Sequence, residues 1–135
     1  MIIADASLVS FLFLEGEVSG TVRELYRRDP DWITPPILNH ELLNILAEVG
    51  RADDAAVAME ELWKEIRMRL GSRQQIPDPL RALRMAIDFG ISGSEAQYLA
   101  LSQQLGAPMV SCDQRLLEHL PKLVVSPEVY LLRLE

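Results

Sequence analysis

Asp5, Glu41, Glu95 and Asp113 are the residues of this chain whose type and placement could do chemistry. Asp5 closes the apolar run Met1-Ile2-Ile3-Ala4, short enough for a buried strand, and Leu8-Val9-Ser10-Phe11-Leu12 follows at once. Asp113 stands just past a second such run, Ala107-Pro108-Met109-Val110-Ser111. Glu41 and Glu95 lie near the starts of helices. Right-handed crossovers bring parallel strand ends to one edge, where the following helices begin and where sites form. The four carboxylates are therefore expected to meet in one cleft.

Such a cluster is costly unaided. Two carboxylates about 5 Å apart repel by roughly 3 kcal/mol at an effective dielectric near 20. All pairs among the four total on the order of 10–20 kcal/mol at most, against about 5–15 kcal/mol for the stability of a whole domain. Raised pKa values or a bound cation must relieve the repulsion. An all-oxygen donor set suits Mg²⁺ or Mn²⁺, and hydrolysis of a phosphodiester by metal-activated water is the chemistry it supports.

Each acid also has a purely structural use. Asp5 and Asp113 can cap the helices that follow them. Glu95 completes the capping-box pattern Ser92-Gly93-Ser94-Glu95. Glu41 can be a solvated first-turn acid favoured by the helix dipole. Their combination, not any one of them, points to a site.

Other chemistries lack their residues. The chain has two histidines and one cysteine, with no HExxH, zinc spacing, GxSxG, P-loop or GxGxxG. A phosphoaspartate receiver needs an acidic pair after its first strand and a late lysine, whereas Asp5 stands alone and the only lysines are Lys64 and Lys122. The Asp-x-Asp of haloacid dehalogenases is broken by Ser7.

The elements that must position these acids alternate. Strands are expected at the N-terminus, at Trp32-Ile33-Thr34, at residues 107–111 and at Leu123-Val124-Val125. Helices are expected over 7–14, 18–28, 37–49, 53–69, 79–89, 94–105, 114–120 and from Pro127. Gly50 closes the third helix, and Asp53 or Asp54 caps the fourth. Leu42, Ile45, Leu46 and Val49 give the third helix one apolar stripe, with Glu41, Asn44 and Glu48 on another face. Apolar residues of the helices at 18–28 and 53–69 are open to use in the core or in dimerisation. This alternation predicts an α/β fold, a parallel sheet with helices on both faces.

The 135 residues suit a single domain, residues 1–135, with one core. The net charge of −7 argues against a strong non-specific polyanion binder. One cysteine, Cys112, excludes an internal disulfide and fits a reducing compartment. There is no basic, apolar leader and no apolar run of membrane-spanning length, which leads to the expectation of a soluble, cytoplasmic protein.

Four stretches together resemble the PIN-domain family, and within it the VapC-type toxins of bacterial and archaeal toxin–antitoxin pairs. They are Ile3-Ala4-Asp5-Ala6-Ser7; Pro36 through His40-Glu41-Leu42-Leu43-Asn44-Ile45-Leu46; Glu95-Ala96-Gln97-Tyr98-Leu99-Ala100-Leu101; and Leu105-Gly106-Ala107-Pro108-Met109-Val110-Ser111-Cys112-Asp113. They keep family order and spacing from residue 2 to about 125. The resemblance implies a PIN-like three-layer α/β/α fold with a short parallel sheet of four or five strands. It also implies a ribonuclease dependent on Mg²⁺ or Mn²⁺, with Asp5, Glu41, Glu95 and Asp113 as metal ligands and catalytic residues. Ser7, Asn44 and Ser111 would support those ligands. A homodimer and an antitoxin partner are further implications. Glu95 departs from the aspartate usual in the family, and its longer side chain changes where the carboxylate sits.

An RNA path needs local positive charge. Residues 64–84 carry Lys64, Arg67, Arg69, Arg73, Arg81 and Arg84 against Glu65 and Asp78, a local charge of +4. These arginines and Arg115 are the candidate RNA contacts; the other use of the stretch is a solvated helix face with ordinary salt bridges. The rival to a nuclease is a PIN-like module that binds RNA or a protein partner without cutting.

Overall fold

A computed structural model describes all 135 residues. The elements are β1 (Ile2–Ala4), α1 (Ala6–Phe13), α2 (Ser19–Arg28), β2 (Trp32–Ile33), α3 (Ile37–Ala52), α4 (Ala56–Leu70), a 3₁₀ turn (Gly71–Arg73), α5 (Pro79–Phe89), α6 (Gly93–Leu105), β3 (Met109–Val110), α7 (Gln114–His119), β4 (Val124–Val125) and α8 (Pro127–Arg133). The sheet has four strands in the order β2-β1-β3-β4, all parallel.

Strands this short hold because both faces are covered. Ile2, Ile3 and Ala4 are fully buried, the unbroken apolar pattern of a parallel strand between helical layers. Ile2 and Ala4 join a core with α1, α2, α3, α4 and α8. Ile3 joins a second core with α5, α6 and α7. The period-two alternation of β1 thus feeds both helical layers, and the architecture is an α/β/α sandwich.

Caps set the helix ends. Asp5, Asp78, Ser92, Asp113 and Ser126 each accept a backbone N–H at the start of α1, α5, α6, α7 and α8. Gly90 and Gly106 end α5 and α6 with φ +64°, a left-handed conformation that favours glycine.

Some boundaries differ from expectation. Gly50 does not end α3, which continues through the helix-compatible Arg51 and Ala52. Neither Asp53 nor Asp54 caps α4, whose N-cap is Ala55. Asp54, at φ +50°, instead makes the left-handed reversal between the two helices. The buried stripe of α3 is Leu38, Leu42 and Leu46, with Ile45 and Val49 at its margin.

The strand order fixes where a site can form. From β1 the chain moves outward to β2, then crosses back to lay β3 on the other side of β1. The carboxyl ends of β1 and β3 flank this reversal, where open α/β sheets form their ligand crevice. Asp5 follows β1, and Ser111, Cys112 and Asp113 follow β3.

Candidate active site

Asp5 is the fixed point of the crevice. It is 7% exposed, and each carboxylate oxygen is taken by a neutral donor. Oδ1 accepts from the Ser7 hydroxyl at 2.7 Å and from the Leu8 amide at 3.0 Å. Oδ2 accepts from the Ser111 hydroxyl. Burial pushes its pKa up to about 6; the bonds from Ser111, Ser7 and Leu8 oppose that rise, and the nearby Glu41 charge adds to it.

The two serines tie the strand ends together. The Ser7 hydroxyl accepts from the Cys112 amide at 2.8 Å, and the Ser111 hydroxyl accepts from the Asp113 amide at 3.0 Å. The hydroxyls lie 3.3 Å apart. The parallel register that sets Ala4 beside Val110 makes this linkage possible.

Glu41 lies in the second turn of α3, half-buried, and is not the solvated first-turn acid that its sequence position allows. The Tyr98 hydroxyl donates to its Oε1 at 2.6 Å. Burial raises the Glu41 pKa, the Tyr98 bond resists, and the like charge of Glu95 raises it further. Tyr98 is itself buried, and burial followed by the Glu41 charge pushes its phenol far above the ordinary value. Sequence reasoning assigned Tyr98 no role. Its signal was the position three residues after Glu95, which puts both on neighbouring turns of α6.

Glu95 and Asp113 form the outer half. Glu95 Oε1 accepts from the Ser92 amide at 3.1 Å while the Ser92 hydroxyl accepts from the Glu95 amide at 3.0 Å, a complete capping box. Its Oε2 pairs with the Arg115 guanidinium. Burial pushes the Glu95 pKa up, but the Ser92 amide and Arg115 together outweigh it and hold the carboxyl below the usual range. Asp113 Oδ1 caps α7 through the amides of Arg115 at 3.0 Å and Leu116 at 3.4 Å. Its Oδ2 lies 3.8 Å from Arg115.

The capping use of Asp5, Glu95 and Asp113 is thus real and coexists with their gathering at one edge. Asp5 acts on the pKa of Glu41's neighbour Tyr98, Glu41 acts on Asp5, and Glu95 acts on Glu41. No three acidic, histidine or cysteine side chains stand close enough together to grip a metal ion as they are oriented here. The donor chemistry nevertheless fits a hard divalent cation. The acids supply oxygen alone, and the innermost is a buried carboxylate with like-charged neighbours and no cationic side chain bound to it. Mg²⁺ in particular is commonly held by one or two carboxylates with retained waters.

Asn44 is exposed on α3 and takes no part in the hydrogen bonds around Asp5. The candidate RNA arginines do not form one free patch. Arg67 donates to Asn39 and lies over Trp63. Arg69 pairs with Glu65 and lies over Phe13. Arg73 pairs with Asp31, Arg81 donates to Gln103, and Arg84 pairs with Asp88. Much of the local +4 charge is engaged within the molecule.

No protein-family model matches the chain. Among curated proteins, the chain is 26% identical over 129 residues to Ribonuclease VapC3 of Pyrobaculum aerophilum, covering 91% of this chain and 97% of that protein. Among solved structures, PAE2754 from Pyrobaculum aerophilum superposes with a TM-score of 0.73 at 23% identity, covering 99% of this chain and 98% of that one. The fold is PIN-like. The resemblance to the VapC branch, read first from short motifs, extends over nearly the full length of a curated VapC ribonuclease.

Proposed function

We propose that the protein is an Mg²⁺- or Mn²⁺-dependent endoribonuclease and the toxin of a type II toxin–antitoxin pair. One observation carries the proposal: a buried carboxylate, Asp5, stands at the switch point of a parallel sheet with further acids in electrostatic reach. The similarity to Ribonuclease VapC3 supplies the substrate class.

Asp5, Glu41, Glu95 and Asp113 would hold the cation. Ser7 and Ser111 fix the Asp5 carboxylate, Tyr98 fixes Glu41, and Asn44 lies one turn along α3 toward solvent. A bound divalent cation supplies Lewis acidity toward a phosphodiester and activates water for attack. Arg67, Arg69, Arg73, Arg81 and Arg84 meet RNA by exchanging present partners for phosphates, which makes binding salt-dependent.

The proposed partners are an RNA substrate, an antitoxin protein and a second copy of the chain, in the cytoplasm. No helix is long and apolar enough to cross a membrane. For the homodimer, the apolar residues of the helices at 18–28 and 53–69, open to use in the core or in dimerisation, divide between buried and exposed positions. Val22 and Leu25 of α2, and Ile66 and Leu70 of α4, are core residues. Val57 and Met68 of α4 are exposed, and a second exposed apolar row runs through Ile76, Leu80, Leu83 and Ile87, before and along α5.

Cleavage of a mixed structured RNA pool tests the proposal. Cutting is expected with Mn²⁺ and lost with EDTA or in Asp5→Asn. Equal cutting by Asp5→Asn would refute it. A second reading, a PIN-like module that binds RNA or a protein without cutting, is favoured by Glu95 being tied to both its helix cap and Arg115. It predicts RNA retention on a filter without cleavage at any Mn²⁺ concentration.

A further inference from the structure

Arg115 occupies an unusual place among the acids of the crevice. Glu95 and Asp113 each commit one carboxylate oxygen to a helix cap, Glu95 through Ser92 and Asp113 through Arg115 and Leu116. The other oxygen of each faces the same guanidinium, bonded to Glu95 Oε2 and 3.8 Å from Asp113 Oδ2. Asp5 and Glu41, in contrast, pair with no guanidinium or ammonium group and are held by hydroxyl and amide donors.

We propose that Arg115 is a built-in counter-cation that competes with the divalent metal ion for Glu95 and Asp113 and so sets how tightly this chain binds it. The inference rests on the metal-dependent reading above. A guanidinium between two acids neutralises charge that a divalent ion held by them would otherwise neutralise. The side chain is long and largely exposed, so it can leave without disturbing the core. Exposed ion pairs of this kind are weak, which makes Arg115 a modulator of affinity and not a block.

The side chain present at position 95 enables this arrangement. Its length lets one oxygen reach back to the Ser92 amide while the other meets Arg115. A capping box is a Glu or Gln device for that reason. Arg115 acts through the acids it pairs with, and is a positioning residue in this role.

The test is a direct titration of Mn²⁺ into metal-free protein, followed by calorimetry, with no RNA present. The proteins are the wild type, Arg115→Gln, Arg115→Lys and Asp5→Asn. Arg115→Gln is expected to bind Mn²⁺ about two- to tenfold more tightly than the wild type at low ionic strength. The gap should narrow in high salt, where the charge is screened, and Arg115→Lys should stay near the wild type. Equal or weaker binding by Arg115→Gln, with melting curves confirming a folded protein, would overturn the proposal while leaving the metal site intact. Absent binding by the wild type, or undiminished binding by Asp5→Asn, would instead remove the metal-dependent reading and this proposal with it.

Discussion

Asp5 and Glu95 both serve the start of a helix, yet the molecule holds them in opposite ways. Asp5 is buried, contacted only by neutral donors, and its pKa is pushed up to about 6. Glu95 is partly exposed, paired with an arginine, and its pKa is lowered. The inner half of the crevice stores an unfavourable carboxylate in a rigid frame of strand ends. The outer half neutralises its acids with a flexible cation. The four acids therefore divide into an inner pair, Asp5 and Glu41, held by neutral donors, and an outer pair, Glu95 and Asp113, that faces a guanidinium.

The sharpest way to break that contrast is Asp5→Asn. Cleavage of RNA in Mn²⁺ is expected to fall at least ~100-fold. Metal-free thermal stability near pH 7.5 should be kept or raised, because a buried charge is removed. A variant that lost both would place Asp5 with the ordinary core.

Ser111→Ala comes next. It strips the donor from Asp5 Oδ2 and the acceptor from the Asp113 amide. Mn²⁺ affinity by calorimetry is expected to drop about 10–100-fold, the usual effect of removing a group that orients a ligand. Ser92→Ala, on the outer half, should change it far less.

The pH response follows from the raised Asp5 pKa. A raised folded-state pKa favours the protonated form, so its contribution to stability is full below about 3.8 and is lost as pH rises through about 6. Metal-free protein should lose roughly 2 kcal/mol of this contribution between pH 4 and pH 7. Urea melts of the wild type compared with Asp5→Asn would isolate it. Mn²⁺ affinity should move the opposite way, falling about tenfold from pH 7 to pH 5 as Asp5 takes a proton. Smallest of all is Glu95→Asp, which shortens the arm of the capping box. It should cost about 0.5–1 kcal/mol in the same melts.

The strands, the helices and the sheet edge that carries Asp5 and Asp113 were legible because apolar runs, caps and glycines are local signals. The caps at Asp5, Ser92–Glu95 and Asp113 were legible for the same reason. Gly50 misled because a glycine can end a helix or merely sit inside one. The start of α4 misled because Asp53 and Asp54 look like caps, while Asp54 makes a left-handed turn. Glu41 was the acid with the blandest appearance, since its burial and its bond from Tyr98 are made by a helix 57 residues away. The run of arginines promised a patch, but partners such as Asn39, Asp31 and Gln103 come from elsewhere in the chain.

The Ser7–Cys112 and Asp5–Ser111 bonds join positions 105 and 106 residues apart. The crevice therefore has no local precursor. A chain emerging from the ribosome carries Asp5 and Glu41 early, but Ser111 arrives only after most of the polypeptide has been made. Until β3 docks beside β1, Asp5 lacks the hydroxyl that fixes its Oδ2. A chain cut before β3 is therefore expected to leave Asp5 without the Ser111 hydroxyl and both cores without the side chains of Met109 and Val110.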